Sequence, residues 1–141
     1  MIIRKGTIQD YDILFKFLNE TEELQAGAQG DTYPPEWVKA ILEDHDRDFA
    51  LIAEEDGHIT GFLLAEIWQR KGYSFLSDLF VLPEHRKRGI ATQLLKKYEE
   101  EMNKIGLSRF MGWVLTDNKN MHNFMVKNGF KQESHFFLYE K

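Results

Sequence analysis

A chain of 141 residues is long enough to bury one real core and too short for two ordinary ones, so residues 1–141 are read as a single domain. It contains no cysteine, which excludes disulfides, cysteine-ligated metals and a cysteinyl covalent intermediate. The formal net charge of −5 argues against general nucleic-acid binding, which needs a basic excess to engage phosphates.

Residues 1–5 read as a short strand, and the stretch 1–6 lacks the extended apolar core of a signal peptide. Thr7-x-x-Asp10 is a capping-box-like start to a helix whose Tyr11, Leu14, Phe15 and Leu18 share one face. Residues 20–32 contain Gly27 and Gly30 and little periodicity, which predicts a loop; a second helix follows, with Pro34 or Pro35 in its first turn and Trp37, Ile41 and Leu42 along it. Residues 49–54 form a strand candidate, and Asp56-Gly57 is a hairpin signal before the next strand, which runs from His58 to about Gln69. A turn at Lys71-Gly72 returns the chain into a third strand over residues 73–82. The longest apolar runs, such as Phe62-Leu63-Leu64-Ala65, fall far short of a membrane span, so the expectation is a soluble cytoplasmic protein with no membrane partner.

Ala91, Leu94, Leu95, Tyr98, Met102 and Ile105 recur at helical spacing, and Gly106 closes that helix. Residues 110–115 then read as a buried strand, 118–127 as a short helix ended near Gly129, and 130–139 as one or two closing strands. The fold class is α/β: a mixed, largely antiparallel twisted sheet of about six or seven strands with helices on both faces.

Between the third strand and the long helix stands Arg86-Lys87-Arg88-Gly89-Ile90-Ala91. A basic, glycine-containing turn from a strand into a helix is a seat for a phosphorylated ligand. The N–H groups of the first helical turn are unpaired, and the helix dipole adds partial positive charge. The six residues fit Arg/Gln-x-x-Gly-x-Gly/Ala. With Leu79-Phe80-Val81-Leu82-Pro83-Glu84-His85 before them, and Asn118, Phe124 and Lys127-Asn128-Gly129-Phe130 after them, they resemble the acyl-CoA-binding signature of the GNAT N-acetyltransferase superfamily.

The resemblance implies acetyl-CoA as co-substrate, no metal, a primary-amine acceptor and direct transfer in a ternary complex; it also admits a homodimer. It implies that the backbone of Leu79, Phe80 and Val81 supplies the oxyanion donor and the pantetheine contacts, with Leu79 N–H nearest the acyl oxygen. Pantetheine would enter a splay between this strand and residues 110–115. Gly89 permits close backbone approach, Ile90 and Ala91 open the helix, Ala91 keeps its entrance small, and Arg86, Lys87 and Arg88 raise the potential around pyrophosphate. Thr92 adds a hydroxyl, and Asn118 matches a cofactor-contacting position while also suiting a helix N-cap.

Two positions depart from the family pattern. Met125 stands where many relatives carry a tyrosine acid, and Ser77 stands where they often carry a Glu or His base. Asp78, beside it, is the candidate base, with a structural hydrogen-bond acceptor as its alternative; Glu66 is a second candidate. His122 and His135 are read as surface or core residues; Tyr33 and Tyr139 are within reach of the cleft, from the acceptor loop and the last strand respectively, and are read first as packing residues. The departures motivate a rival reading, a catalytically silent acyl-CoA-binding or regulatory module. The acidic excess of residues 20–56, which includes Glu22, Glu23 and Asp31 against only Lys39 and Arg47, is either a solvated surface or a field that draws a cationic acceptor such as a polyamine or a protein amine.

Overall fold

The computed structural model describes residues 1–24, 33–135, 137 and 139–141. Most of the loop read over residues 20–32, Asp31 included, lies outside them. Strand β1 (Ile2–Lys5) leads through a 3-10 turn into helix α1 (Tyr11–Glu20), and helix α2 (Pro35–Glu43) follows. Strands β2 (Asp48–Glu55), β3 (His58–Trp68) and β4 (Tyr73–Val81) come next, then helix α3 (Ile90–Lys104), strand β5 (Phe110–Gly112) and helix α4 (Lys119–Lys127).

The order across the sheet is β1-β2-β3-β4-β5. All neighbours are antiparallel except β4 and β5, whose parallel pairing is made possible by the crossover through α3. Asp56 and Gly57 turn the β2–β3 hairpin with both residues at positive φ, 49° and 77°, the backbone that matches the twist of the flanking strands.

Both faces of the sheet are covered. On one, Leu94, Leu95, Tyr98 and Met102 of α3 pack with Met125 of α4 over Leu51, Leu63, Leu76 and Val81. On the other, Leu14 and Leu18 of α1 and Val38, Ile41 and Leu42 of α2 pack over Ile52, Phe62, Leu64 and Phe80. The Thr7/Asp10 capping box forms, with Asp10 Oδ2 accepting from Thr7 N–H at 2.8 Å. Arg4 grips both Asp10 oxygens at 2.8 and 2.9 Å and Glu54 at 3.0 Å, so a buried carboxylate is fully paired and stays well below the usual carboxylate range.

Two expectations are corrected. The sheet has five strands rather than six or seven, because the described residues of 130–139 form none. The strand expected over 110–115 stops at Gly112 and is half-buried; Trp113 is 72% and Leu115 54% exposed. Among the described residues β5 has a neighbour on one edge only, so no second ladder holds the backbone extended beyond it. No helix among the described residues is long and apolar enough to cross a membrane.

Candidate active site

The register of β4 against β3 slips by one residue at the centre of the sheet: Ala65 lies opposite Leu76 and Leu64 opposite Asp78, so Ser77 is the extra residue of a β-bulge. Its consequence is a reversal of parity. Before the bulge, Ser74 N–H donates towards β5, to Arg109 C=O at 3.0 Å; after it, Leu82 N–H donates to β3, to Thr60 C=O at 2.9 Å. Because backbone groups alternate along a strand, Phe80 also points to β3, whereas Leu79 and Val81 turn their N–H and C=O groups away from it. β5 pairs only with Ser74, Phe75 and Leu76 and ends at Gly112, so beyond Leu76 those groups face a gap in the ladder along this edge of β4. The resemblance implies a splay between β4 and residues 110–115; β5 ends at Gly112, and the edge of β4 beyond Leu76 carries no ladder. Opposite Val81, Gly61 has no room for a side chain: a Cβ would stand 2.7 Å from Phe80 C=O.

At the far end of the gap the chain turns into α3. Gly89 is the N-cap, at φ 80°, and Lys87 also has positive φ, 63°. The first bond of the helix runs from Gln93 N–H to Gly89 C=O at 3.0 Å, which leaves the N–H groups of Ile90, Ala91 and Thr92 without an intrahelical partner. Ile90 is buried and fixes the helix to the sheet, while Thr92 is exposed. The two arginines of the turn are engaged within the protein. Arg86 donates from Nε to Val81 C=O at 2.8 Å and from Nη2 to Glu23 at 2.9 Å, with its guanidinium 5.4 Å from the Phe80 ring centre. Arg88 pairs with Glu55 through two bonds, at 2.7 and 3.1 Å. A strand edge with unspent amide groups, continuous with a helix N-terminus and a basic turn, fits a pantetheine arm ending in pyrophosphate.

Asp78 lies one residue from Leu79 and on the opposite face, the side of α1 and α2. Its Oδ1 accepts a hydrogen bond from the Tyr33 hydroxyl at 3.0 Å. Burial pushes the Asp78 carboxyl up to about 6, and the Tyr33 bond partly offsets that rise. Burial, and then the charge of Asp78, holds the Tyr33 hydroxyl well above the ordinary tyrosine range. Tyr33, read first as a packing residue with reach into the cleft as the alternative, does reach Asp78; the contact joins residues 45 apart in the chain, and no local pattern specifies that partner.

The other candidates separate. Glu66 is two positions along β3 from the residue opposite Asp78, faces Asp48 across the ladder and accepts from Trp68 Nε1 at 3.3 Å. Asn118 Oδ1 caps α4 by accepting from Met121 N–H at 3.1 Å. Met125 is a core residue against Gly112, and Phe124 packs beside it. His122 Nε2 lies 2.9 Å from Leu115 C=O, and His135 is exposed beside Glu133. Tyr139, expected to pack, is 90% exposed.

The five-stranded sheet, the unpaired edge of β4 and the helix N-terminus beyond it are the arrangement expected of an acyl-CoA-dependent acyltransferase. The model of the Acetyltransferase (GNAT) family matches residues 15–130. The uncharacterized N-acetyltransferase YhfO of Bacillus subtilis (strain 168) is 26% identical over 144 aligned positions, which cover 99% of this chain and 95% of that one. Aminoglycoside N(6')-acetyltransferase type 1 of Acinetobacter genomosp. 13 is 29% identical over 126 positions, 89% of this chain and 75% of the relative. Among solved structures, an aminoglycoside N-acetyltransferase in complex with CoA, AAC(6')-Iy, matches with a TM-score of 0.78 at 23% identity, over 99% of this chain and 93% of that one. The chain belongs to the GNAT acetyltransferase family and is an acetyl-CoA-dependent N-acetyltransferase.

Proposed function

We propose that the protein acetylates a primary amine that arrives as a cation, by direct attack on the thioester of acetyl-CoA with both substrates bound. The observation that carries this reading is the juxtaposition at the bulge: Leu79 turns its N–H into the gap, and the preceding residue sends a carboxylate to the opposite face. One strand thereby presents an oxyanion donor and a base to the two sides of a reacting carbonyl.

In this reading Asp78 takes the ammonium proton, directly or through one water. With its carboxyl pushed up to about 6, it is mostly ionised at neutral pH and still basic enough to accept a proton. The freed nitrogen lone pair forms the C–N bond as the C–S bond breaks, and Leu79 N–H stabilises the developing oxyanion. The second amine proton is released as the amide forms. Met125 has no proton to give, so the departing thiolate takes one from solvent. Val81 adds a backbone contact on the gap side. The N–H groups of Ile90, Ala91 and Thr92 hold the pyrophosphate at a turn whose φ Gly89 alone accommodates well, with Arg86, Lys87 and Arg88 around it and Asn118 on the α4 side.

A cationic acceptor is supported by the carboxylates at the end of α1, where Glu22 is exposed and Glu23 reaches Arg86. The Acinetobacter relative is named for aminoglycosides, amino sugars that are cationic at neutral pH. Fields from such carboxylates extend roughly 8 Å at physiological ionic strength.

The test is a panel of spermidine, kanamycin, a peptide with a free N-terminus and a lysine peptide, each with acetyl-CoA and thiol release as the readout. At least one cationic amine should turn over above the no-enzyme rate, with a KM that rises with salt. A neutral or anionic best acceptor whose KM ignores salt overturns the acceptor class. Calorimetry on Gly89→Val separates the co-substrate site: the substitution should abolish acetyl-CoA binding in a folded protein, and unchanged affinity removes the turn from the site.

A further inference from the structure

Tyr33 is held in place by devices that do not use its hydroxyl. Asn19 Oδ1 accepts from its N–H at 2.7 Å, and Asn19 Nδ2 donates to its C=O at 3.2 Å and to Phe15 C=O at 3.1 Å. Its ring stacks on Trp37 with centres 4.6 Å apart and planes 17° from parallel. Phenylalanine would satisfy all of that packing. What the hydroxyl adds is a single bond, to Asp78 Oδ1 at 3.0 Å, across the cleft between the α1–α2 side and the bulge.

We propose that Tyr33 is a positioning residue of the transfer reaction: its hydroxyl fixes Asp78 by one oxygen and leaves Oδ2 as the atom that receives the proton of the incoming ammonium. The inference rests on the reading of Asp78 as base. Without the bond, a carboxylate on a short side chain beside a bulge is free to rotate about its own χ angles, and each lost orientation subtracts from the fraction poised to react. The bond also stabilises the anion, opposing the burial that favours the protonated acid.

The hydroxyl is suited to this task alone. Its one hydrogen is given to Asp78, and burial beside that carboxylate holds the hydroxyl well above the ordinary tyrosine range, so it remains a donor throughout the working pH. The surroundings of Asp78 isolate the effect. α1 and α2 turn Leu14, Leu18, Val38 and Ile41 to this face. Glu66 of β3 and Asp48 of β2 lie on the same face and pair across the ladder, and among the described residues Asp78 is raised by burial and lowered by the Tyr33 bond, with no charged side chain contributing.

The experiment uses the full chain labelled with 13C at aspartate carboxyls. NMR titration without substrates gives the Asp78 midpoint, and the pH dependence of kcat follows, with acetyl-CoA and the fastest amine of the panel. Tyr33→Phe keeps the ring against Trp37 and both backbone bonds to Asn19. It should raise the Asp78 midpoint by about one unit, raise the acidic limb of kcat by the same amount, and leave the KM for acetyl-CoA within about twofold. Asn19→Ala, which retains the hydroxyl but unclamps residue 33, should move the midpoint the same way by less. A midpoint unmoved in both folded variants overturns the inference and leaves Asp78 as base untouched. A midpoint that rises while the acidic limb stays fixed overturns Asp78 as base, and with it any part for Tyr33 in the reaction.

Discussion

Arg88 and Glu55 form a two-pronged ion pair, Nη2 to Oε1 at 2.7 Å and Nη1 to Oε2 at 3.1 Å, that ties the turn before α3 to the end of β2. His85 Nδ1 stands 3.0 Å from the same guanidinium, and the pairing holds the Glu55 carboxyl below its ordinary range. One charge of the basic turn proposed to meet the pyrophosphate is therefore shared with a carboxylate. Removing the competitor should help the ligand. Glu55→Gln is expected to tighten acetyl-CoA binding by about two- to fivefold, the worth of an exposed ion pair, and to steepen its salt dependence. Calorimetry at two ionic strengths checks this; weaker binding would mean that Glu55 orients Arg88 rather than competing for it.

Gly61 lies opposite Val81, where β3 passes close to the backbone of β4. A methyl group there would lie 2.7 Å from Phe80 C=O and 3.3 Å from a Val81 methyl, and the first neighbour is backbone that cannot swing aside. Gly61→Ala should cost about 1–3 kcal/mol in stability. It should also lower kcat, because any relaxation of β4 carries Leu79 and Val81 with it. Denaturant unfolding and thiol-release kinetics on the same preparation test the pair of effects; a variant as stable and active as the wild type would show that β4 yields locally.

Asp78 makes an opposite prediction for stability. Its folded value is raised from 3.8 to about 6, so the folded chain holds this proton more tightly than the unfolded one, and ionising the group works against folding. The penalty is absent below about pH 4, grows as pH rises towards 6 and is complete above it. Asp78→Asn, which still accepts from Tyr33, should therefore stabilise the protein at pH 8 by up to about 3 kcal/mol and change little at pH 4. Turnover should fall severely in the same variant, the stability of a site traded against its function. Equal stability changes at both pH values would show that burial of the charge is not the cause.

Much of the architecture was legible because its signals are local. The Asp56-Gly57 turn, the apolar spacing of Leu94, Leu95, Tyr98 and Met102, the Thr7/Asp10 box and the glycine at the head of α3 each act within a few residues, and each formed as read. The basic turn belongs with them, since the sequence of strand, Gly89 and helix dictates a helix N-terminus beside a strand end.

Partner choice was not legible, because it depends on which edge of which strand lies alongside. Ser77 and Asp78 could be singled out in the chain, but only their register against Leu64 and Ala65 makes Ser77 the extra residue and turns Leu79 and Val81 towards the gap. The same holds for charge: Arg86 and Arg88 read as basic, and folding delivers Glu23 and Glu55 to them from 63 and 33 residues away. Apolar residues 113 and 115 read as buried, yet burial needs a neighbouring ladder, and β5 has one only as far as Gly112. Tyr33 is the sharpest case: its sequence determined an aromatic residue before a proline-started helix, and the tertiary structure alone decided that its hydroxyl would end on the carboxylate of Asp78, since a hydrogen bond between two separate elements is a property of their packing and not of either segment.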